Sequence, residues 1–244
     1  DDTPIDLPDN YSVPIDAPEE AIHNFGELRN YAGVPKKGPV SDQMAKTLIR
    51  GYYASVSYTD AQIGRVLDEL ERSGLNENTI VVLWGDHGWN LGEHTLWAKH
   101  CTFENSMRAP LIVRTPQTQT SPQGQTTQAL AEFVDIYPTL CELAGIDSPD
   151  HLEGKSLAPV LKDPNSKGKG YAIGRFNNGD TIRSDRWRYT EYTSRESRGD
   201  GPTISRMLYD HDKDPDENRN LSNLPEYKQT IKNLSRQLNR RKGR

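Results

Sequence analysis

The 244 residues carry 27% charged side chains, an ordinary load for a soluble globular chain of one large domain or one domain with an appendage. The formal net charge of -5 argues against a nucleic-acid binder, which presents a basic face, and no apolar run is long enough to span a bilayer. Two cysteines, Cys101 and Cys141, cannot make a disulfide framework and read as small buried thiols.

Residues 1–40 are rich in Pro and Asp with few apolar positions, which predicts an extended, linker-like segment over a surface; the start reads as the interior of a longer chain. A long helix follows. Ser41 can cap it, Ile49, Tyr53, Val56, Ile63, Val66, Leu67 and Leu70 recur at helical spacing, and Gly74 suits a left-handed C-cap. Thr79 to Trp84 is an unbroken apolar run with β-branched residues, predicting a strand buried on both faces in a mainly parallel sheet. Pro110 to Val113 reads as a second such strand, and Val134 to Ala144 as a helix ended by Gly145. The first α/β unit extends over residues 41–163. From 164 to 244 the texture changes to short alternating stretches and an Asn177-Asn178-Gly179 turn signal. These predict a small α+β subdomain with an antiparallel sheet and a C-terminal helix from about Pro225 to Asn239, with Tyr227, Ile231, Leu234 and Leu238 on one face. The basic end from Arg236 reads as a solvated helix terminus. The fold class is therefore α/β, a portion of a mixed, mainly parallel sheet with flanking helices, followed by that subdomain.

Asp86 and His87 fall at the carboxyl end of the first strand, where open α/β sheets bind ligands. Together they offer a carboxylate oxygen and an imidazole nitrogen to one metal or anion, and Gly88 allows a sharp turn; alternatively the pair only caps the next segment. Lys99 follows in a polar loop, either solvated or holding an anionic oxygen. Glu93, His94, His100 and Cys101 could be read as zinc ligands, but their spacing fits neither H-E-x-x-H nor paired C-x-x-C. Arg183, Arg186, Arg195 and Arg198 could meet an anionic polysaccharide, although a solvated charged face is the simpler reading. No Walker loop or G-x-S-x-G elbow appears.

The strings ASVSYTDAQIGRVLDEL, WGDHGWNLGEHTLWAK and SMRAPLIV, then FVDIYPTLCELAGI, LEGKSLAPVL, IRSDRWRYTEY and LYDHDKDPDENRNLS, together resemble type I sulfatases of the alkaline phosphatase superfamily, most like the iduronate-2-sulfatase type. The resemblance covers nearly the whole chain but only the family's C-terminal half. It implies that Asp86 ligates a divalent cation, usually calcium. It puts His87 beside metal and sulfate, as a metal ligand or as a contact to the ester, and Lys99 on a sulfate oxygen, where its charge stabilises the transition state.

The family's paired Asp ligands and its C/S-x-P-x-R motif, the source of formylglycine, are not found here; Asp1-Asp2 sits in the wrong context. The resemblance therefore implies a sulfuric ester hydrolase whose N-terminal half, in cis or as a second chain, brings the formylglycine, with this chain alone inactive. A sulfated carbohydrate or other sulfate ester is the implied substrate, and a secreted, periplasmic or lysosome-like compartment the implied location. Phosphonate monoester or phosphodiester hydrolases of the same superfamily are an alternative, as is a noncatalytic sulfated-glycan binding module.

Overall fold

A computed structural model of the chain describes residues 4–24, 26–116, 124–194 and 201–241. Helix α1, Asp42–Arg72, begins where Ser41 Oγ accepts the Met44 amide at 3.3 Å. It stops at Gly74, whose φ of 69° no β-carbon residue adopts without cost. Its first turns bury Ala45 and Ile49, but from Tyr53 onward the apolar positions are largely uncovered, Val66 reaching 68% exposure.

Strand β1, Val81–Trp84, pairs with β4, Leu111–Arg114, with Val82 opposite Val113 and Leu83 opposite Ile112. The pairing is antiparallel, where the apolar runs had predicted a mainly parallel arrangement. The connection over residues 85–110 is long enough for either direction, so the apolar runs bear on burial but not on the polarity of the pairing. Coverage of both faces is likewise not reached: Trp84 is 50% and Ile112 57% exposed. Between them lie a small hairpin, β2 (Asn90–Leu91) with β3 (Trp97–Ala98), and the single-turn helix α2, Glu104–Met107.

Helix α3, Ile136–Ala144, ends at Gly145 with φ 67°, and α4, Ala158–Lys162, follows. Strands β5 (Ala172–Phe176), β6 (Gly179–Arg183), β7 (Trp187–Thr193) and β8 (Thr203–Asp210) form a four-stranded antiparallel sheet in that order. Asn177 turns the first hairpin at φ 51°. Alternation along the sheet sends Ile182, Tyr189 and Leu208 to one face, where Leu234 and Leu238 of helix α5, Lys228–Arg241, close a buried cluster. The opposite face gives Tyr192, Met207 and Tyr209 to a second core with Leu96, Trp97 and Phe103.

The N-terminal segment also enters that core. Among its described residues it holds two one-turn 3-10 segments, yet Ala21, Leu28, Val34 and Val40 are buried in the core, so the segment is more than a surface strap. Ile15 exchanges backbone hydrogen bonds of 2.9 Å with Asn218 and Asn220, tying the segment to the loop after β8. Among the described residues no helix is long and apolar enough to cross a membrane.

Candidate active site

The turn after β1 is set by close packing. The Gly88 amide donates to Ser106 O at 2.9 Å, and a β-carbon at Gly88 would lie 1.8 Å from Asn105 O and 2.6 Å from Arg108 O. Glycine is needed there because the backbone of α2 approaches so closely, and not for a left-handed turn, since its φ is not positive. Asp86 projects outward, its side chain 86% exposed, while His87 is partly sheltered with Nε2 3.5 Å from Asp86 Oδ1.

His87 Nδ1 lies 2.7 Å from Gly88 O. A carbonyl only accepts, so Nδ1 carries the proton and Nε2 is the nitrogen turned toward Asp86. An imidazole lone pair facing a carboxylate oxygen is unfavourable unless a cation or a proton is shared between them. The donor set thus fits a hard cation through one carboxylate oxygen, with most of calcium's six to eight oxygen ligands to come from elsewhere.

Stacked rings hold His87 in place. Trp89 packs at 6.0 Å and 28°, itself stacked on Tyr52 of α1 at 5.5 Å, and the His100 ring lies at 6.0 Å, tilted by 58°. His100 stacks in turn on Phe176 of the β5–β6 hairpin at 5.1 Å and 7°. Burial, then the charges of Lys99 and His87, push the His100 imidazole below its ordinary value, which favours the neutral ring.

Lys99 rides on the β2–β3 hairpin. Gly92, His94, Thr95 and Ala98 all have positive φ, so backbone strain is concentrated just before Lys99. Buried Asn90 offsets it by donating to Ala98 O at 2.9 Å and Ser106 Oγ at 2.8 Å. Lys99 Nζ pairs with Glu27 Oε1 at 3.2 Å, both side chains about one-third exposed. The fold therefore joins the Asp86–His87 turn to the Lys99 loop through the ring contact of His87 with His100.

The possible zinc set does not converge. Glu93 accepts the Leu91 amide, His94 is buried against Phe103, and the Cys101 thiol, bonded to Ser106 Oγ at 3.0 Å, is pushed by burial to about 11. A protonated, enclosed thiol is a poor metal ligand. The arginines considered for a polysaccharide are engaged: Arg183 lies 3.5 Å from Glu104, and Arg186 donates twice to Asp210; Arg195 and Arg198 lie outside the described residues. Sequence reasoning missed Glu27, Tyr52 and Phe176, because their contacts join positions far apart in the chain.

Two family profiles match. Sulfatase covers residues 16–146, and N-sulphoglucosamine sulphohydrolase, C-terminal, covers residues 92–244. Iduronate 2-sulfatase of Mus musculus is 32% identical over 166 residues, 56% of this chain and 30% of its own length. A solved 2-O GAG sulfatase is 28% identical, with a TM-score of 0.77 over 99% of this chain and 54% of that one. A phosphonate monoester hydrolase from Silicibacter pomeroyi is 26% identical, with a TM-score of 0.70 over 82% of this chain and 42% of that one. The chain spans 35 to 41% of the length of the first curated relatives it matches. By these matches and by its fold, the chain belongs to the sulfatase family.

Proposed function

We propose that this chain supplies part of the active site of a sulfuric ester hydrolase, completed by an N-terminal half of the same protein in cis or as a second chain. The observation that carries the reading is the junction of the Asp86–His87 turn with the Lys99 loop beside a sheet whose apolar side chains stay open. Each large apolar side chain there is already partly buried, so covering it by a complementary half contributes roughly half of the about 1.5–3 kcal/mol of a complete burial. Trp84, Ile112 and Val66 are three candidates.

In this reading Asp86 donates a carboxylate oxygen to calcium, which when bound polarises the sulfate. His87, held by its bond to Gly88 and by Trp89, presents Nε2 to the metal through its lone pair or, when that nitrogen carries a proton, donates an N–H to the ester oxygen. Lys99 faces a sulfate oxygen, where a fixed positive charge stabilises charge gathering in the transition state. Glu27 orients that ammonium until an anionic substrate competes for it. A formylglycine in the complementary half supplies the nucleophile. The substrate is a sulfated carbohydrate or other sulfate ester, supported by the relatives' names, and the compartment is secreted, periplasmic or lysosome-like.

The test combines the two halves and measures hydrolysis of an aryl sulfate and a sulfated disaccharide with and without calcium. Calcium-dependent turnover that Asp86→Ala removes supports the reading; turnover retained in that variant sinks it, and bound sulfated disaccharide without turnover selects a glycan-binding module. The phosphonate hydrolase neighbour supports a second reading. A higher kcat/KM for a phosphonate monoester than for the matching sulfate selects that one.

A further inference from the structure

Where α2 abuts the C-terminal sheet, two carboxylates, two guanidinium groups and a histidine meet out of solvent. Glu217, in the loop after β8, is the centre. Its Oε1 pairs with Arg188 Nε at 3.0 Å and His211 Nε2 at 2.9 Å, while Oε2 accepts the Glu104 amide at 2.8 Å. Arg188 also donates to the Glu104 carboxylate, with Arg183 Nε 3.5 Å from the same oxygen. The donor atoms of Glu104, His211 and Glu217 lie within 4.8 Å of one another, a spacing that suits a metal. Two guanidinium groups already balance the two carboxylates, so the cluster needs no further cation.

Such a network is weak evidence for stability, because desolvation cancels much of the Coulombic gain. Glu217 is moreover held at φ 57° with its side chain only 2% exposed, a strain that persists only where the surroundings fix it. Its position explains what it does. Glu217 grips the first amide of α2, and the same turn of helix, through Ser106 O, accepts the Gly88 amide, while Ser106 Oγ accepts from Asn90 beneath the Lys99 loop. The backbone of Asn105 and Arg108 lies hard against Gly88. A displacement of α2 therefore cannot avoid moving the Asp86–His87 turn.

We propose that Glu217 is a positioning residue that, acting through α2, fixes the Asp86–His87 turn and the Lys99 loop from the C-terminal sheet. The claim of a catalytic effect rests on the function proposed above; the claim of mechanical coupling does not. Replacing Glu217 by Gln keeps the shape but turns an amide NH2 toward either the Glu104 amide or the Arg188 and His211 donors, so one donor contact is lost.

The test uses the protein with its complementary half present and compares wild type with Glu217→Gln by hydrogen exchange and by kinetics. Exchange at the Gly88 amide should rise about tenfold while β6 and β7 keep their protection, and kcat and calcium affinity should fall about 10–100-fold, as for outer partners of a metal site. Unchanged Gly88 exchange in the variant overturns the proposal, whether or not the wild type hydrolyses a sulfate ester. An inactive wild type would defeat the functional reading alone, leaving exchange to decide the coupling. If Glu217→Gln fails to fold, Glu104→Gln, which weakens the same link from α2, is read by the same two outcomes.

Discussion

The strands of the C-terminal sheet mix polar with apolar side chains while those of the β1–β4 pair are nearly all apolar, yet it is the sheet that closes its own core. Ile182, Tyr189 and Leu208 are sealed by Leu234 and Leu238 of α5, whereas Trp84 and Ile112 face solvent together with much of α1. The difference shows that hydrophobic sequence demands cover without saying which chain provides it. The sheet finds its cover within α5, some twenty residues after β8. Among the described residues the β1–β4 pair keeps Trp84 and Ile112 uncovered, and the candidate catalytic residues Asp86 and His87 follow β1 directly.

Substitutions should separate the two regions. Asp86→Ala, in the protein with its complementary half, should abolish measurable turnover and weaken calcium binding, because a ligand and a charge leave together. Protection of β6 and β7 in hydrogen exchange should be unchanged. Lys99→Ala should lower kcat/KM by about 10²–10³ with metal content retained, the scale of losing one donor to developing negative charge. An unchanged kcat/KM would make Lys99 an ordinary surface lysine paired with Glu27.

Stability changes should show the reverse distribution. Leu208→Ala, in a sealed core, should cost about 2–5 kcal/mol in urea unfolding with or without the complementary half. Ile112→Ala should cost within about 0.5 kcal/mol in the isolated chain, as for an exposed position, and clearly more once the halves are joined. Equal costs in both states would contradict a docking face at β1–β4.

A smaller effect concerns acid. Hydrogen bonds from Arg186 hold the Asp210 carboxyl below its ordinary range; at Glu104 burial pushes upward most strongly, but the charge and hydrogen bond of Arg188 together with the charges of Arg183 and His211 bring the carboxyl below its ordinary value. Both folded values are depressed, so their contribution is present above the unfolded value of about 4 and is lost as pH falls through the folded value. Asp210→Asn should therefore lower the urea midpoint at pH 6, with the gap from wild type closing below about pH 4. A gap independent of pH would remove the ion pair from the account.

Local signals were the legible ones. Ser41, Gly74 and Gly145 marked helix ends because caps involve only a few neighbouring residues, and the Tyr227–Leu238 stripe announced the buried face of α5. The direction of β1 relative to β4 was not legible, since an apolar run fixes burial and leaves polarity open. The site was half legible. Asp86, His87 and Lys99 stood out by strand-end position and by family resemblance, while the links of Glu27 to Lys99 and of Glu104 to Arg188 and Glu217 each join residues more than seventy positions apart, beyond any local pattern. Gly88 was read as allowing a sharp turn, and the close approach of the α2 backbone to it was not legible.

The central claim is that the candidate site lies on a face completed by a complementary half. Sedimentation combined with hydrogen exchange on the isolated 244-residue chain tests it most directly. The account predicts strong protection in β6 to β8 and α5, weak protection in Val81–Trp84, and self-association through the open face, with protection of β1 and a single defined species appearing when the complementary half is added. A monodisperse monomer with Val81–Trp84 protected as strongly as the C-terminal sheet would contradict it.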